Sequence, residues 1–374
     1  MMAEVMTRTA KMVAMWQVYG FTHGVMNTDN MSINGLTIDY GPFGFMEYFD
    51  SYYIPNSSDK WGRYAYKPQP KIAGWNLKKL YLGIKKTVGP ETYGKILDNH
   101  DKFYWRTYNN FYYSIMADKL GFIGAAIAEK PEFRDLVSNF FDSTMDYCRT
   151  DMTLGFKTLE RFNLNNSKEI IGRLVGLSPP KENLMASYRP KDNFLEGKAW
   201  QEKVGVIRMT WKNPVAIQAM LGEYPTEYFQ NILDNVERLG ELEKLDESTI
   251  RNDIFTAKWQ QWFQSYSGLL KSDSESWAAA NAGKGQKDWD DKRKTKMRAV
   301  NPHFVLRNWL IQDAIAPAET GDYAEVRKLL DLSQHAFSDD VFLDPNTGEY
   351  RPELARYCSV QPPGAKACVL SCSS

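Results

Sequence analysis

Between Ala73 and Asn163 apolar side chains recur every three or four residues, in three consecutive segments (73–97, 101–129 and 131–163) crowded with Trp, Tyr, Phe and Leu. That period matches the turn of an α-helix, not the two-residue alternation of a strand, so this stretch is constrained to fold as packed helices. Helical signal returns at 213–245 and 251–271, after a Pro- and Lys-bearing break at 177–192, and again at 301–317 and 322–332. The expected fold class is mainly α (α+β), with a small β element.

That β element falls near the start. Val5, Met6, Met12, Val13, Trp16, Val18 and Tyr19 read as one buried helix face that stops at Gly20. Residues 21–44 then alternate polar and apolar with glycine punctuation, as a loop, a short strand and a loop. No linker or targeting composition precedes the first helix, so the chain reads as beginning inside a domain. At the other end, 272–298 is dominated by Ser, Asp, Lys, Gly and Gln and reads as a mobile surface insertion. Its basic run Lys292–Arg298 reads as a solvated face, and the last forty residues as an extended, exposed tail.

Composition excludes several classes. Lys and Arg together number 46 and Asp and Glu 46, so no broad field draws the chain toward nucleic acid or an anionic membrane. No run approaches the roughly 18 apolar residues that span a bilayer. Four cysteines, three of them in the last seventeen residues, are too few and too uneven for a small disulfide framework. His100, His303 and His335 lack Cys or His neighbours at ligand spacing, which gives zinc little support.

One stretch carries chemistry: His23-Gly24-Val25-Met26-Asn27-Thr28-Asp29-Asn30, followed by Ile38-Asp39-Tyr40-Gly41. Phosphoryl and nucleotidyl transfer need oxygen ligands that hold magnesium against phosphates, and Asp and Asn supply them. Protein kinases place such an Asn seven positions after a loop His and follow with an Asp-Phe-Gly turn. Here Asn30 follows His23 by seven, and Asp39-Tyr40-Gly41 takes the second place. Where a kinase has its catalytic Asp this chain has Val25, so a conventional kinase base is absent and Asp29 is the nearest substitute. His23 itself reads as a positioning residue, and the tryptophans as packing residues.

The run from His23 to Met46, HGVMNTDNMSINGLTIDYGPFGFM, closely resembles the signature of the selenoprotein O (SelO) pseudokinase family. A second block, Asn301–Gly321, and the segment from Gly62-Arg63-Tyr64 to Trp75-Asn76-Leu77 resemble the same family. The resemblance implies a protein-kinase-like fold, of which this chain would hold the helical C-lobe with family-specific additions and lack the β-rich N-lobe. It implies AMPylation, in which ATP is bound in a flipped orientation and AMP passes to Ser, Thr or Tyr hydroxyls of substrate proteins. Asp29 then matches the proton acceptor, Asn30 and Asp39 the ligands of Mg²⁺ or Mn²⁺, and Asp39 also the ATP contact. A mitochondrial location follows from the same resemblance. So does a loss of unaided activity, because the cations that clamp the distal phosphates belong to the other lobe, whose absence would also leave an apolar face uncovered.

The tail departs from the family. Animal members carry selenocysteine third from the end, where this chain has Cys372, four positions after Cys368. The pair reads as redox-capable thiols or as thiols without a task. Pro55 stands where bacterial relatives place a cysteine. The expected layout is a lobe at 1–165 carrying the catalytic loop at 21–46, a helical region at 166–271, the insertion at 272–300, helices at 301–340 and the tail at 341–374. Two competing functions stay open: a non-catalytic interaction or thiol-redox module, and ordinary phosphotransfer.

Overall fold

A computed structural model describes residues 1–59, 61–124, 126–189, 205, 209, 226–362 and 371. Helix α1 (Met2–Tyr19) buries Val5, Met6, Thr9, Ala10, Val13 and Ala14, a stripe with helical spacing. Gly20 ends it in the left-handed region (φ 71°), donating its N–H to the Trp16 carbonyl. Strand β1 (Phe21–Thr22) follows and pairs antiparallel with β2 (Gly44–Phe45). Helices α2 (Gln69–Val88) and α3 (Pro90–Lys119) pack on α1, and their shared core holds Val13, Ile72, Leu77, Tyr81 and Tyr104.

The largest core lies beyond α3. Helices α4 (Pro131–Ser138), α5 (Asp146–Cys148), α6 (Met152–Leu159), α7 (Ser167–Gly176) and α8 (Lys181–Tyr188) surround Phe133, Phe140, Phe156 and Leu174. A π-helical stretch, Asn139–Met145, joins α4 to α5. Helices α9 (Thr226–Leu242) and α10 (Glu247–Thr249) lead through a second π-helical stretch into α11 (Thr256–Ala280). Trp259, Trp262, Phe263 and Tyr266 on α11 close this core.

Residues 272–300 are not a mobile insertion. Helix α11 runs on to Ala280, and α12 (Gln286–Val300) follows within a few residues. Trp289, Arg293 and Met297 recur every four residues and are buried, so the basic run is not wholly a solvated face. Asp273 ties the segment down by accepting hydrogen bonds from Trp289 Nε1 (3.0 Å) and from the backbone N–H groups of Ile123 (3.2 Å) and Gly124 (2.9 Å).

The expected helix at 301–317 starts later. Residues 301–307 are not helical, Arg307 forms an isolated parallel bridge with Phe45, and α13 (Asn308–Glu319) begins after them. Helices α14 (Ala324–Gln334) and α15 (Asp339–Phe342) build a further small core with Phe304, Trp309, Phe342 and Tyr357. Through residue 362 the tail is therefore packed rather than extended: Leu343 bridges Tyr350, and Cys358 is buried. Cys368 and Cys372 lie outside the described residues.

Arg307 joins these layers. Its guanidinium, 2% exposed, contacts Asp151 Oδ2 at 2.8 Å and Glu47 Oε2 at 3.0 Å. Asp151 also caps α6 by accepting from the Leu154 N–H (2.9 Å), and Glu47 follows β2. Replacing Arg307 by Ala leaves two buried carboxylates uncompensated and should lower stability by about 3–5 kcal/mol in urea unfolding.

Lys119 ends α3 as a buried ammonium with no ion-pair partner among the described residues. Its Nζ lies 4.7 Å from the Tyr19 ring centre and 4.2 Å from that of Phe156. Burial pushes its pKa down to about 7, which the more distant Glu160 only partly offsets. Between that value and the ordinary lysine range the native state binds fewer protons than the unfolded chain, so stability rises with pH. Urea midpoints measured from about pH 7 to 9, below ordinary tyrosine ionisation, should rise more steeply for the native chain than for Lys119→Met.

Candidate active site

The His23–Gly41 segment is held by side-chain amides. Gln69, fully buried at the head of α2, lies along β1 like another strand: its Oε1 accepts from the His23 N–H (2.9 Å) and its Nε2 donates to the Phe21 carbonyl (2.9 Å). Two turns further on, Asn76 Nδ2 donates to the Met26 carbonyl (2.9 Å). Asn56 Nδ2 donates to the Gly24 carbonyl (3.0 Å), and Tyr64 Oη to Asn27 Oδ1 (2.6 Å). The three amides satisfy backbone atoms, and Tyr64 holds the Asn27 side chain.

His23 is locked as a neutral imidazole. The Val25 N–H can only donate, so Nδ1 accepts it (3.2 Å) and the proton sits on Nε2, which faces Thr37 Oγ1 at 2.5 Å. Thr37 Oγ1 then donates to the Asn30 carbonyl (3.1 Å). Burial holds the His23 pKa below its ordinary value, outweighing the upward pull of the Asp39 charge. Its ring stacks on Tyr40, with centroids 6.2 Å apart, so the imidazole positions the loop and the Asp-Tyr-Gly turn together.

The same relay folds residues 30–38 into a tight hairpin. Met31 bridges Thr37, and the Ile38 N–H donates to the Asn30 carbonyl (3.0 Å), which sets Asn30 opposite Ile38, the neighbour of Asp39. Asn30 Nδ2 is spent on the Val25 carbonyl (3.0 Å), which leaves its Oδ1 as an oxygen donor. Asp29 is exposed at the centre of a single 3₁₀ turn, Thr28–Asn30, and the Asp39 side chain is exposed as well. The structure thus brings Asn30 and Asp39 onto adjoining rungs of one hairpin, with Asp29 beside Asn30. An amide oxygen and a carboxylate form the hard donor set that Mg²⁺ or Mn²⁺ prefers. Among the described residues no group of three or more His, Cys, Asp or Glu is arranged to hold a metal.

The sequence singles out Asp29, Asn30 and Asp39 but not the positioning roles of Gln69, Asn76 and Asn56. A signal existed for two of them: Gln69 and Asn76 are seven apart, on the same face of α2 as the apolar Ile72, Ala73 and Leu77. Flanking the turn, an apolar groove of about 550 Å³ opens between Trp16, Phe21, Tyr40 and Phe43 on one side and Phe304 and Phe337 on the other. Ile33, Leu36 and Ile38 are also exposed on the hairpin.

The chain is thus mainly helical and carries an Asp-Asn pair and an Asp-Tyr-Gly turn about one short hairpin. The family model described as "Protein adenylyltransferase SelO" matches residues 1–334, and this chain belongs to that family. Zebrafish (Danio rerio) mitochondrial protein adenylyltransferase SelO-1 is 37% identical over 345 residues, covering 90% of this chain and 46% of the relative. The mouse (Mus musculus) mitochondrial protein adenylyltransferase SelO is 34% identical, over 98% of this chain and 52% of its own length. Protein nucleotidyltransferase YdiU of Nitrosospira multiformis is 32% identical, over 99% of this chain and 53% of its own. The chain spans about half the length of the curated relatives it matches.

Gly24 is the loop residue least open to change. It sits at φ +79°, and a Cβ there would lie 2.3 Å from the Pro42 carbonyl oxygen. Gly24→Ala should destabilise the protein by more than about 1 kcal/mol and speed amide hydrogen exchange across 23–41, with the amides of α3 unchanged.

Proposed function

We propose that the His23–Gly41 hairpin is the metal-binding and acceptor-activating part of a protein adenylyltransferase. The observation that supports this reading is the hydrogen-bonded register that sets Asn30 opposite Ile38, the residue before Asp39, with Asp29 and Asp39 both exposed. Asn30 Oδ1 and the Asp39 carboxylate hold Mg²⁺ or Mn²⁺, which when bound neutralises the charge of the ATP phosphates. Asp39 also faces those phosphates. Asp29 accepts the proton of a Ser, Thr or Tyr hydroxyl on the substrate protein, whose oxygen attacks the α-phosphorus. The bond from that phosphorus to the bridging oxygen breaks, AMP remains on the hydroxyl and pyrophosphate leaves.

The scaffold is read as the helical lobe of a kinase-like fold, because the Asn lies seven after the His and the Asp-Tyr-Gly turn follows. Full activity is assigned to a protein of the relatives' length, since this chain covers about half of it. Mitochondrial residence is inferred from the zebrafish and mouse relatives, both named as mitochondrial. A second reading, a non-catalytic interaction module, is favoured by the open groove at Tyr40 and Phe43 and by the exposed Ile33, Leu36 and Ile38.

Incubation with α-labelled and γ-labelled ATP, by this chain and by a version extended to the relatives' length, separates the readings. α-Label on protein should appear with the extended chain, vanish with Asp39→Ala, fall by about 10²-fold or more with Asp29→Ala, and need more metal with Asn30→Ala. γ-Label on the acceptor would establish phosphotransfer instead. No ATP binding by either chain would leave the interaction module.

A further inference from the structure

A cavity of about 810 Å³ lies between α6, α7, α12 and the segment after α14, and none of its lining residues belongs to the hairpin site. In a chain whose formal charges cancel, its wall carries five fixed cations, Lys157, Arg161, Arg173, Lys294 and Arg298, against three carboxylates, Glu160, Asp339 and Glu349. Each of these cations has a carboxylate within 4 Å, Lys294 lying 2.6 Å from Asp290, so the wall is a ring of ion pairs rather than charge of one sign.

Its charges are arranged in depth. On the floor, the Lys157 side chain is 11% exposed, and its ammonium sits 2.9 Å from Glu160 and 3.4 Å from the His303 ring. His303 is fixed from both sides, Nε2 facing Asp339 at 2.7 Å and Nδ1 facing Tyr350 Oη at 3.3 Å. At the mouth the guanidiniums are half exposed: Arg161 pairs with Glu349 at 3.2 Å, Arg173 with Glu169 at 3.0 Å, and Arg298 reaches Asp339 only at 3.8 Å. Exposed pairs of this kind contribute about 1 kcal/mol or less, so an incoming dianion can displace them. A guanidinium fork matches two phosphate oxygens at once, which a compact ammonium does not.

We propose that this cavity is a second ligand site, taking a small polyphosphate anion, either free pyrophosphate or the phosphate chain of a nucleotide. The depth of the cavity admits a small molecule, and the balanced surface around it offers no extended basic face for a nucleic acid. Arg161 and Arg298 grip the phosphates at the mouth, while Lys157 supplies the inner charge.

Titration calorimetry with inorganic pyrophosphate, then with ATP, tests this in EDTA so that metal-dependent binding at the hairpin is silent. Saturable binding is expected, weakened about tenfold or more in the Arg161→Ser/Arg298→Ser double variant and unchanged in Asp39→Ala. A matched control, Lys78→Ser/Lys95→Ser, removes two cations outside the cavity and should bind as the native chain does. Thermal unfolding of each variant verifies the fold, and Arg173→Ser replaces any that fails it. Tighter binding of pyrophosphate identifies the free anion, and tighter binding of ATP the nucleotide. Absence of saturable binding at millimolar concentration, equal loss in the Lys78/Lys95 control, or loss in Asp39→Ala would each overturn the proposal.

Discussion

One buried guanidinium holds the candidate site to the rest of the molecule. Arg307 is far from Glu47 and Asp151 in sequence, yet its two faces meet both carboxylates in a nearly dry interior. Desolvating three charges is costly and is offset only when each finds its partner, so the cluster permits one arrangement of β2, the head of α6 and the entry to α13. A second buried cluster does the same nearby: Asp146 takes Arg149 at 2.7 Å and Arg238 at 2.9 Å, and accepts from the Ser51 N–H at 2.8 Å. The two clusters anchor the chain on either side of Phe49, whose N–H donates to the Thr150 carbonyl. The segment leaving the hairpin site thus has little freedom to move.

Within that frame the site is shaped by neutral amides. Gln and Asn offer a donor and an acceptor on one planar group, so they can complete a strand edge or a loop without adding charge to a poorly solvated region. Gln69, Asn76 and Asn56 do this for Phe21 to Met26. Because backbone and amides satisfy one another, the carboxylates of Asp29 and Asp39 are left facing outward, and Asn30 is left with a free oxygen. Neutral His23 fits the same logic: its two nitrogens serve as one acceptor and one donor, and burial keeps it in that form.

The candidate site residues are legible in the sequence because side-chain type and spacing are local properties. Asp29, Asn30 and Asp39 stand out wherever metal-held phosphate is considered, and the period between 73 and 129 announces two helices, although the break between them falls at Gly89 rather than at 98–100. Residues 272–300 were misread because a single row of one residue in four, Trp289, Arg293 and Met297, is lost in an average dominated by Asp, Lys and Arg. Burial of Arg293 has no signal in the sequence. It depends on the Phe162 carbonyl and the Asp290 carboxylate being in reach. The segment 301–307 was read as helix for a related reason: it is not helical because Phe45 and Glu47 wait for it, a long-range pairing that local propensity does not register.

By itself the sequence determined the helical class, the end of α1 at Gly20, and which acids and amide could ligate a metal, because each rests on local periodicity, a left-handed turn or side-chain chemistry. Only the tertiary structure decided that Asn30 lies opposite Ile38, that His23 is neutral, that Lys119 and Arg293 are buried, and that five cations share one cavity. Those facts belong to groups distant along the chain. Packing and the exclusion of water create the interactions between them, and both exist only once the fold has formed.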